Sequence, residues 1–211
     1  MYQYGHVKKI LIGLVLVFLA GVLVLGMGGC SSYNSLVGAR QQVDKQWAQV
    51  ETTYQRRADL IPNLVNTVSG SANFEKSTLQ AVTEARASVG QVKLAGGSPD
   101  SPDTLKQFQK AQDSLGSALS RLLVVAERYP DLKASQGFRD LQVQLEGTEN
   151  RITVERQRFN EVVQGYNTQV QRFPTLIIAR LFNFQSKPYF TASAGAENAP
   201  KVEFNFNSPS R

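Results

Sequence analysis

Two long segments of this chain carry their apolar residues at alternating steps of three and four, a spacing that a helix buries on one stripe and a strand cannot. The first runs through Leu36, Arg40, Val43, Trp47, Val50, Tyr54, Arg57, Ile61, Leu64 and Val68, eight of ten being apolar or aromatic. The second runs through Phe138, Leu141, Leu145, Thr148, Ile152, Glu155, Phe159, Val162, Tyr166, Gln169 and Phe173, with eight of eleven fitting. Between them Leu79, Val82, Ala85, Val89 and Val92, then Phe108, Ala111, Leu115, Leu119, Leu122, Ala126 and Tyr129, repeat the step. No segment ahead of the C-terminal tail alternates as a strand would, so the expected class is all-α.

The breaks are explicit. Residues 95–103, with Gly96-Gly97 and two Ser-Pro-Asp units, read as a loop in which Ser101 caps a helix with Pro102 at its first position. Tyr129-Pro130-Asp131 is a second break, Ser135 a cap for the helix carrying Phe138, and Pro174 a stop. Within Arg57-Ala58-Asp59-Leu60-Ile61-Pro62 the stripe continues, yet a mid-helix proline costs about 3 kcal/mol. A turn with Asp59 as N-cap places Pro62 in a first turn, where N–H groups lack helical partners anyway. That predicts helices near 33–57, 60–93, 102–128 and 135–173, an up-and-down four-helix bundle. The alternative is one helix over 33–94 kinked at Pro62, giving a three-helix rod.

The N-terminus carries an address. His6, Lys8 and Lys9 precede an uncharged aliphatic run over residues 10–25, followed by Gly26-Met27-Gly28-Gly29-Cys30-Ser31-Ser32. Small residues ahead of a solitary cysteine are the layout of a bacterial lipoprotein signal, with Cys30 as the acylated residue. The competing reading is an uncleaved anchor, because residues 10–29 are about enough to span ~30 Å of hydrocarbon. Either way Lys8 and Lys9 hold the N-terminus on the cytoplasmic side and the body lies outside the cytoplasm, on its periplasmic or extracellular side. The expected division is a signal peptide or transmembrane anchor over 1–29, a helical domain over 30–184 and a flexible tail over 185–211.

Composition excludes several chemistries. His6 is the one histidine and Cys30 the one cysteine in 211 residues, so imidazole-based nucleophilic catalysis and Cys/His metal centres have no material beyond the N-terminal segment. No metal and no cofactor is expected. The net charge of +6, with no basic run interleaved with aromatics, disfavours nucleic acid and leaves membrane lipid, other envelope proteins or a second copy as partners.

Tyr33-Asn34-Ser35-Leu36-Val37, Gln55-Arg56-Arg57-Ala58-Asp59-Leu60-Ile61-Pro62-Asn63-Leu64-Val65, Thr148-Glu149-Asn150-Arg151-Ile152, Tyr166-Asn167 and Phe173-Pro174 follow one another over nearly the whole body. In these motifs the chain resembles the LemA family of bacterial membrane proteins. The resemblance implies an anchored, extracytoplasmic four-helix domain with no established enzymatic activity, in a family one of whose members takes part in forming magnetosome membranes. Cys30 departs from the family's more usual uncleaved anchor.

Pairing the first and last long helices antiparallel, so that residue 33 faces residue 173, sets Arg57 opposite Glu149, Trp47 opposite Phe159 and Arg40 opposite Tyr166. Arg56, Arg57, Asp59, Asn63, Glu149, Asn150 and Arg151 should then gather at the membrane-distal end, as a register network or as an interaction site. The aromatic stripe members are expected in the core. Thr148, Glu155 and Gln169, which interrupt the second stripe, are register devices or line a groove. The apolar segment 176–184 returns to the membrane side, where it either covers the open end of the bundle or lies in the lipid interface through Ile177, Arg180, Leu181 and Phe182. Beyond it residues 192–200 are small and polar, and 201–206 alternate as a strand that can add to another chain.

The function these features suggest is a non-enzymatic, membrane-tethered scaffold or adaptor of the cell envelope that self-associates or shapes membrane. The competing class is an envelope sensor that holds a small ligand or peptide between helices. Replacing Cys30 by Ala is expected to abolish lipid labelling and processing of the chain in the cell. A wild-type chain that retains Met1 in its mature form would instead establish the uncleaved anchor.

Overall fold

Where helices start, their first-turn N–H groups need acceptors, and two serines provide them. Ser101 Oγ accepts from Thr104 N at 3.2 Å with Pro102 at the first helical position, and Ser135 Oγ accepts from Phe138 N at 3.4 Å. The computed structural model describes the backbone of residues 3–71, 74–92 and 98–191, and within the first 27 residues Leu19 is the one side chain described. The helices are α1 (Gln3–Ser69), α2 (Lys76–Gln91), α3 (Pro102–Ala126), α4 (Pro130–Ala134), α5 (Gln136–Gln171) and α6 (Thr175–Leu181). Among the described residues there is no strand. The break at Tyr129-Pro130 thus holds a single turn, α4.

The expected turn at residues 57–59 is not there. α1 passes through Pro62 and ends at Ser69, where Gly70 N bonds Asn66 O at 3.2 Å and Ser71 N bonds Val68 O at 3.0 Å. Asp59 caps nothing and accepts from Gln55 Nε2 at 2.7 Å, one turn back. The physical reason lies in α2. Pro62 lacks the N–H that would bond the carbonyl of Ala58, and Arg86 Nε donates to that oxygen instead at 3.1 Å. The proline ring itself is exposed. A side chain distant in sequence therefore relieves part of the penalty on which the turn was argued, and the second helix shrinks from the expected 60–93 to α2.

Specific pairs give the directions. Trp47 meets Phe159 with ring centroids 5.3 Å apart, and Ser35 Oγ donates to Gln169 Oε1 at 3.3 Å, so α5 runs antiparallel to α1. Arg128, just past α3, reaches Glu75, just before α2, at 2.6 Å, so α3 runs back along α2. Tyr54 against Phe108 at 5.0 Å and Arg57 against Gln112 set α3 parallel to α1. Two apolar clusters fill the interior. One holds Leu36, Val43, Trp47, Phe108, Phe159 and Tyr166, and the other Ile61, Leu64, Val82, Leu115, Leu122 and Phe138.

The expected boundary between helical domain and flexible tail at 184/185 is also corrected. α6 closes on Asn183, whose φ of 55° reverses the chain while Phe184 N bonds Ala179 O at 2.8 Å and Asn183 N bonds Arg180 O at 3.4 Å. Residues 184–191 then run extended along α5. Asn167 grips the backbone of Lys187 at both N and O, at 2.8 and 2.9 Å, and Asn160 does the same to Phe190 at 2.8 and 2.9 Å. Seven helical residues rise ~10.5 Å and three extended ones reach about 10 Å, so the two clamps match in pitch. Phe190 is buried against Trp47 and Phe159, with the Arg156 guanidinium 4.7 Å above its ring. Residues 192–211, with the small polar run and the strand-like segment 201–206, lie outside the described residues.

Pro62→Ala is expected to stabilise the chain by ~1–3 kcal/mol by restoring a helical bond. Arg86→Ala should cost ~0.5–1.5 kcal/mol in the wild type and close to nothing in the Pro62→Ala background. Denaturant unfolding of the four proteins checks this, and an equal Arg86→Ala cost in both backgrounds would refute the carbonyl exchange.

Candidate functional site

A guanidinium removed from water must find acceptors, and Arg57 of α1 finds them on two other helices. It is 3% exposed, on the inward side of α1. Nη1 donates to Glu149 Oε2 of α5 at 2.9 Å, and Nη2 donates to the backbone oxygen of Gln112 of α3 at 3.2 Å and to its Oε1. The cation also sits 5.1 Å from the centroid of the Tyr54 ring. Arg57 Nε is buried with no hydrogen-bond partner. Glu149 remains 58% exposed at its side chain, so the pair joins a buried cation to a solvated carboxylate. Burial raises the Tyr54 hydroxyl above its ordinary pKa, opposed by the positive charges of Arg156 and Arg57. This is a bonding node that ties α1 to α3 and α5.

The other members of the expected cluster separate from it. α1 runs on from Arg57 to Ser69, so the node lies about 18 Å short of the helix end rather than at the distal end. Arg56, Asn150 and Arg151 are exposed on the outer side of the α1/α5 pair, where they line a shallow groove. Asp59 and Asn63 are exposed on α1 and line neither of the two cavities of that groove; among the described residues Asp59 accepts from Gln55 and the Asn63 backbone oxygen from Thr67, both within α1. Of the stripe interruptions, Glu155 accepts from Gln46 Nε2 at 2.7 Å and Gln169 from Ser35, both between α5 and α1. Thr148 is buried and returns its hydroxyl to Gln144 O at 2.7 Å.

A second buried polar centre escaped the sequence reading. Lys187, 6% exposed, donates through Nζ to Ser98 Oγ at 2.9 Å and to Asp100 Oδ1 at 2.5 Å, while Ser98 Oγ donates to Asp44 Oδ1 at 2.6 Å. A serine beside a lysine suggests a nucleophile with its base, but here the hydroxyl proton points to Asp44 and the ammonium to Asp100. The set locks the α2–α3 connection to α1 and the tail. Its one sequence signal was a lysine in a segment assigned as tail. Among the described residues no group of His, Cys, Asp or Glu is gathered as a metal site.

The third feature is an exposed apolar stripe. On and beside α6, Phe173, Ile177 and Leu181 recur at one-turn spacing and are 75%, 58% and 73% exposed, with Phe182 54% exposed and Arg180 exposed beside them. The opposite side of α6 packs on α1: Ala179 is buried, Ile178 Cδ1 approaches Gly29, and Phe182 lies 4.8 Å from the ring of Tyr33. Cys30 is an exposed residue of α1 next to this contact. Among the described residues no helix is long and apolar enough to cross a membrane. The side chains of residues 10–25 lie outside that description apart from Leu19, although their backbone continues α1.

The LemA family profile matches residues 46–204, three quarters of the chain. The chain belongs to the LemA family. Among relatives, Magnetosome protein MamQ 2 of Paramagnetospirillum magneticum is 25% identical over 205 residues, covering 88% of this chain and 73% of its own. Magnetosome protein MamQ of Magnetospirillum gryphiswaldense is 25% identical over 75% of this chain and 64% of its own. Protein LemA of Metamycoplasma hominis is 22% identical over 76% and 69%. The LemA match takes in the Arg57 node, both asparagine clamps and α6.

Arg57→Ala is expected to cost ~2–5 kcal/mol, because it empties a buried site and leaves the Gln112 oxygens without a donor where three helices meet. Glu149→Ala should cost less, ~1–2 kcal/mol: it withdraws the carboxylate from a buried guanidinium, but that side of the pair is open to water, which can take its place. Unfolding of the full chain in detergent micelles measures both, and an Arg57→Ala cost no larger than that of Glu149→Ala would contradict the buried node.

Proposed function

We propose that this LemA protein is a non-enzymatic, membrane-anchored scaffold or adaptor of the cell envelope. In it α1, α2, α3 and α5 act as an up-and-down four-helix bundle outside the cytoplasm, seated on the bilayer at two places, the N-terminal segment and α6. The observation that carries this reading is the outward stripe Phe173, Ile177 and Leu181 beside Gly29 and Tyr33. The uncharged run ends at residue 25, and along a continuous helix Gly29 and Tyr33 lie only about 6 and 12 Å further. Side chains each worth ~1.5–3 kcal/mol on full burial are thus exposed at the level of the lipid headgroups, with Arg180 positioned for phosphates. Acylation at Cys30 gives the same height. Names of relatives as magnetosome proteins agree with a membrane setting.

The sensor reading draws on one feature, a polar cavity of about 260 Å³ lined by Arg40, Asp100, Tyr166, Asn183 and Lys187. Two of its charges, Lys187 and Asp100, already satisfy each other. The scaffold reading is therefore preferred.

A fluorophore on Ile177→Cys or Leu181→Cys, in the full chain reconstituted into vesicles, is expected to be quenched strongly by lipids carrying a quencher near the headgroup. The same label on Val124→Cys, exposed toward the far end of α3, should be quenched weakly. Equal quenching at all three sites in anchored protein would overturn the second membrane contact.

A further inference from the structure

Arg56 and Arg57 are neighbours in sequence, yet a helix turns them about 100° apart, and only Arg57 is used inside. Arg56 is exposed on the outer side of α1, and Arg151 faces it from α5. Both line two adjoining cavities of about 510 and 310 Å³ that share Arg56, Gly147 and Arg151. Among the described residues neither guanidinium has a hydrogen-bond or ion-pair partner, in contrast to Arg158 at the end of the same groove, which Glu155 holds at 2.9 Å. Among the described residues Glu155 is the one carboxylate lining the groove, its side chain is only 13% exposed, and it is taken up by Arg158 and Gln46. Among the described residues two like charges therefore face one trough whose lining holds no free counter-charge.

The trough has the shape of a helix seat. Along α5 it extends from Gln144 to Arg158, a rise of about 21 Å, which is the length of a helix of ~14 residues. Its floor is made of small side chains: Thr52, Thr53 and Gly147, where a Cβ would meet nothing within 4 Å. Small residues allow a third helix to approach two packed ones closely, and Val154, 44% exposed, adds an apolar contact to the lining. Carboxylates on such a helix would meet Arg56 and Arg151 with charge-assisted, bidentate geometry. We propose that the outer α1/α5 groove is the partner-binding face of this scaffold and receives an acidic amphipathic helix of another envelope protein. The proposal builds on the scaffold reading but uses a face remote from α6, so the two can fail separately.

The test uses the full chain in detergent micelles and two fluorescein-labelled 14-residue helical peptides, one with a glutamate face and one with a lysine face. Fluorescence anisotropy at low salt should show the glutamate peptide bound at least tenfold more tightly, and Arg56→Glu with Arg151→Glu should invert the preference. The variant's melting should not change, since neither side chain holds the fold. No preference between peptides, or a preference indifferent to the charge reversal, would overturn the proposal. A photocrosslinker at Asn150 in native membranes supplies the second readout. Crosslinks to an acidic segment of another protein, lost in the reversed variant, support it; crosslinks to a second copy or to lipid overturn it. Vesicle quenching at α6, measured on the same variant, reports the membrane contact independently.

Discussion

The structure depends on one buried cation. The apolar stripes of α1 and α5 are repetitive, and sliding one helix by seven residues past the other would still bring apolar residues together. Burial energy alone therefore leaves the register poorly defined. Arg57 removes the degeneracy, because a guanidinium 3% exposed to water has acceptable partners only where Glu149 of α5 and Gln112 of α3 both reach it. Gln46 with Glu155 and Ser35 with Gln169 repeat the same discrimination along the α1/α5 seam. The node joins three helices that run far apart in sequence, so it couples the placement of α3 to that of the α1/α5 pair.

A second constraint acts through the tail. Asn160 and Asn167 each bind both backbone polar groups of one residue, and their separation on α5 equals the reach of the extended chain between Phe190 and Lys187. Slipping the tail by one residue would break all four bonds and drive Tyr189 or Thr191 into the place of Phe190. Since the tail is fixed at Lys187 and α5 ends at Gln171, α6 between them has little freedom and is pressed onto α1 at Gly29 and Tyr33. The same bonds that complete the core thus expose the stripe of Phe173, Ile177 and Leu181.

Much of this was legible in the sequence. The three-four stepping marks the helical segments, Ser101 and Ser135 mark two helix starts, and an antiparallel pairing of the two long stripes brings Arg57 to Glu149. What failed did so for a common reason, namely that a partner from elsewhere in the chain changed a local cost. Pro62 reads locally as a helix breaker because Arg86, the donor to Ala58 O, belongs to another helix. Residues 185–191 carry no local signal of order, because their two clamps lie on α5 and resemble ordinary surface asparagines. A turn at 57–59 would remove the helical phase that separates Arg56 from Arg57, and only with such a turn does the cluster form a unit. Gln112 had no signal at all, since nothing in the sequence set the register of α3.

The continuity of α1 has a geometric consequence for the proposed scaffold. One uninterrupted helix carries the apolar N-terminal run, the contact with α6 and the wall of the Arg56 groove. From Gly29 to Arg56 the rise is about 40 Å, so the groove would stand at a fixed height above the bilayer instead of swinging on a linker. With α6 as a second contact, rotation about the α1 axis is resisted as well, and the groove keeps one azimuth. A partner helix presented at that height must come from the aqueous envelope space or from a long extracytoplasmic stalk, because a span's own juxtamembrane residues lie within about 10–15 Å of the lipid. In the proposed scaffold the fold would therefore select partners by distance from the membrane as well as by charge, which a flexibly tethered bundle with the same groove could not do.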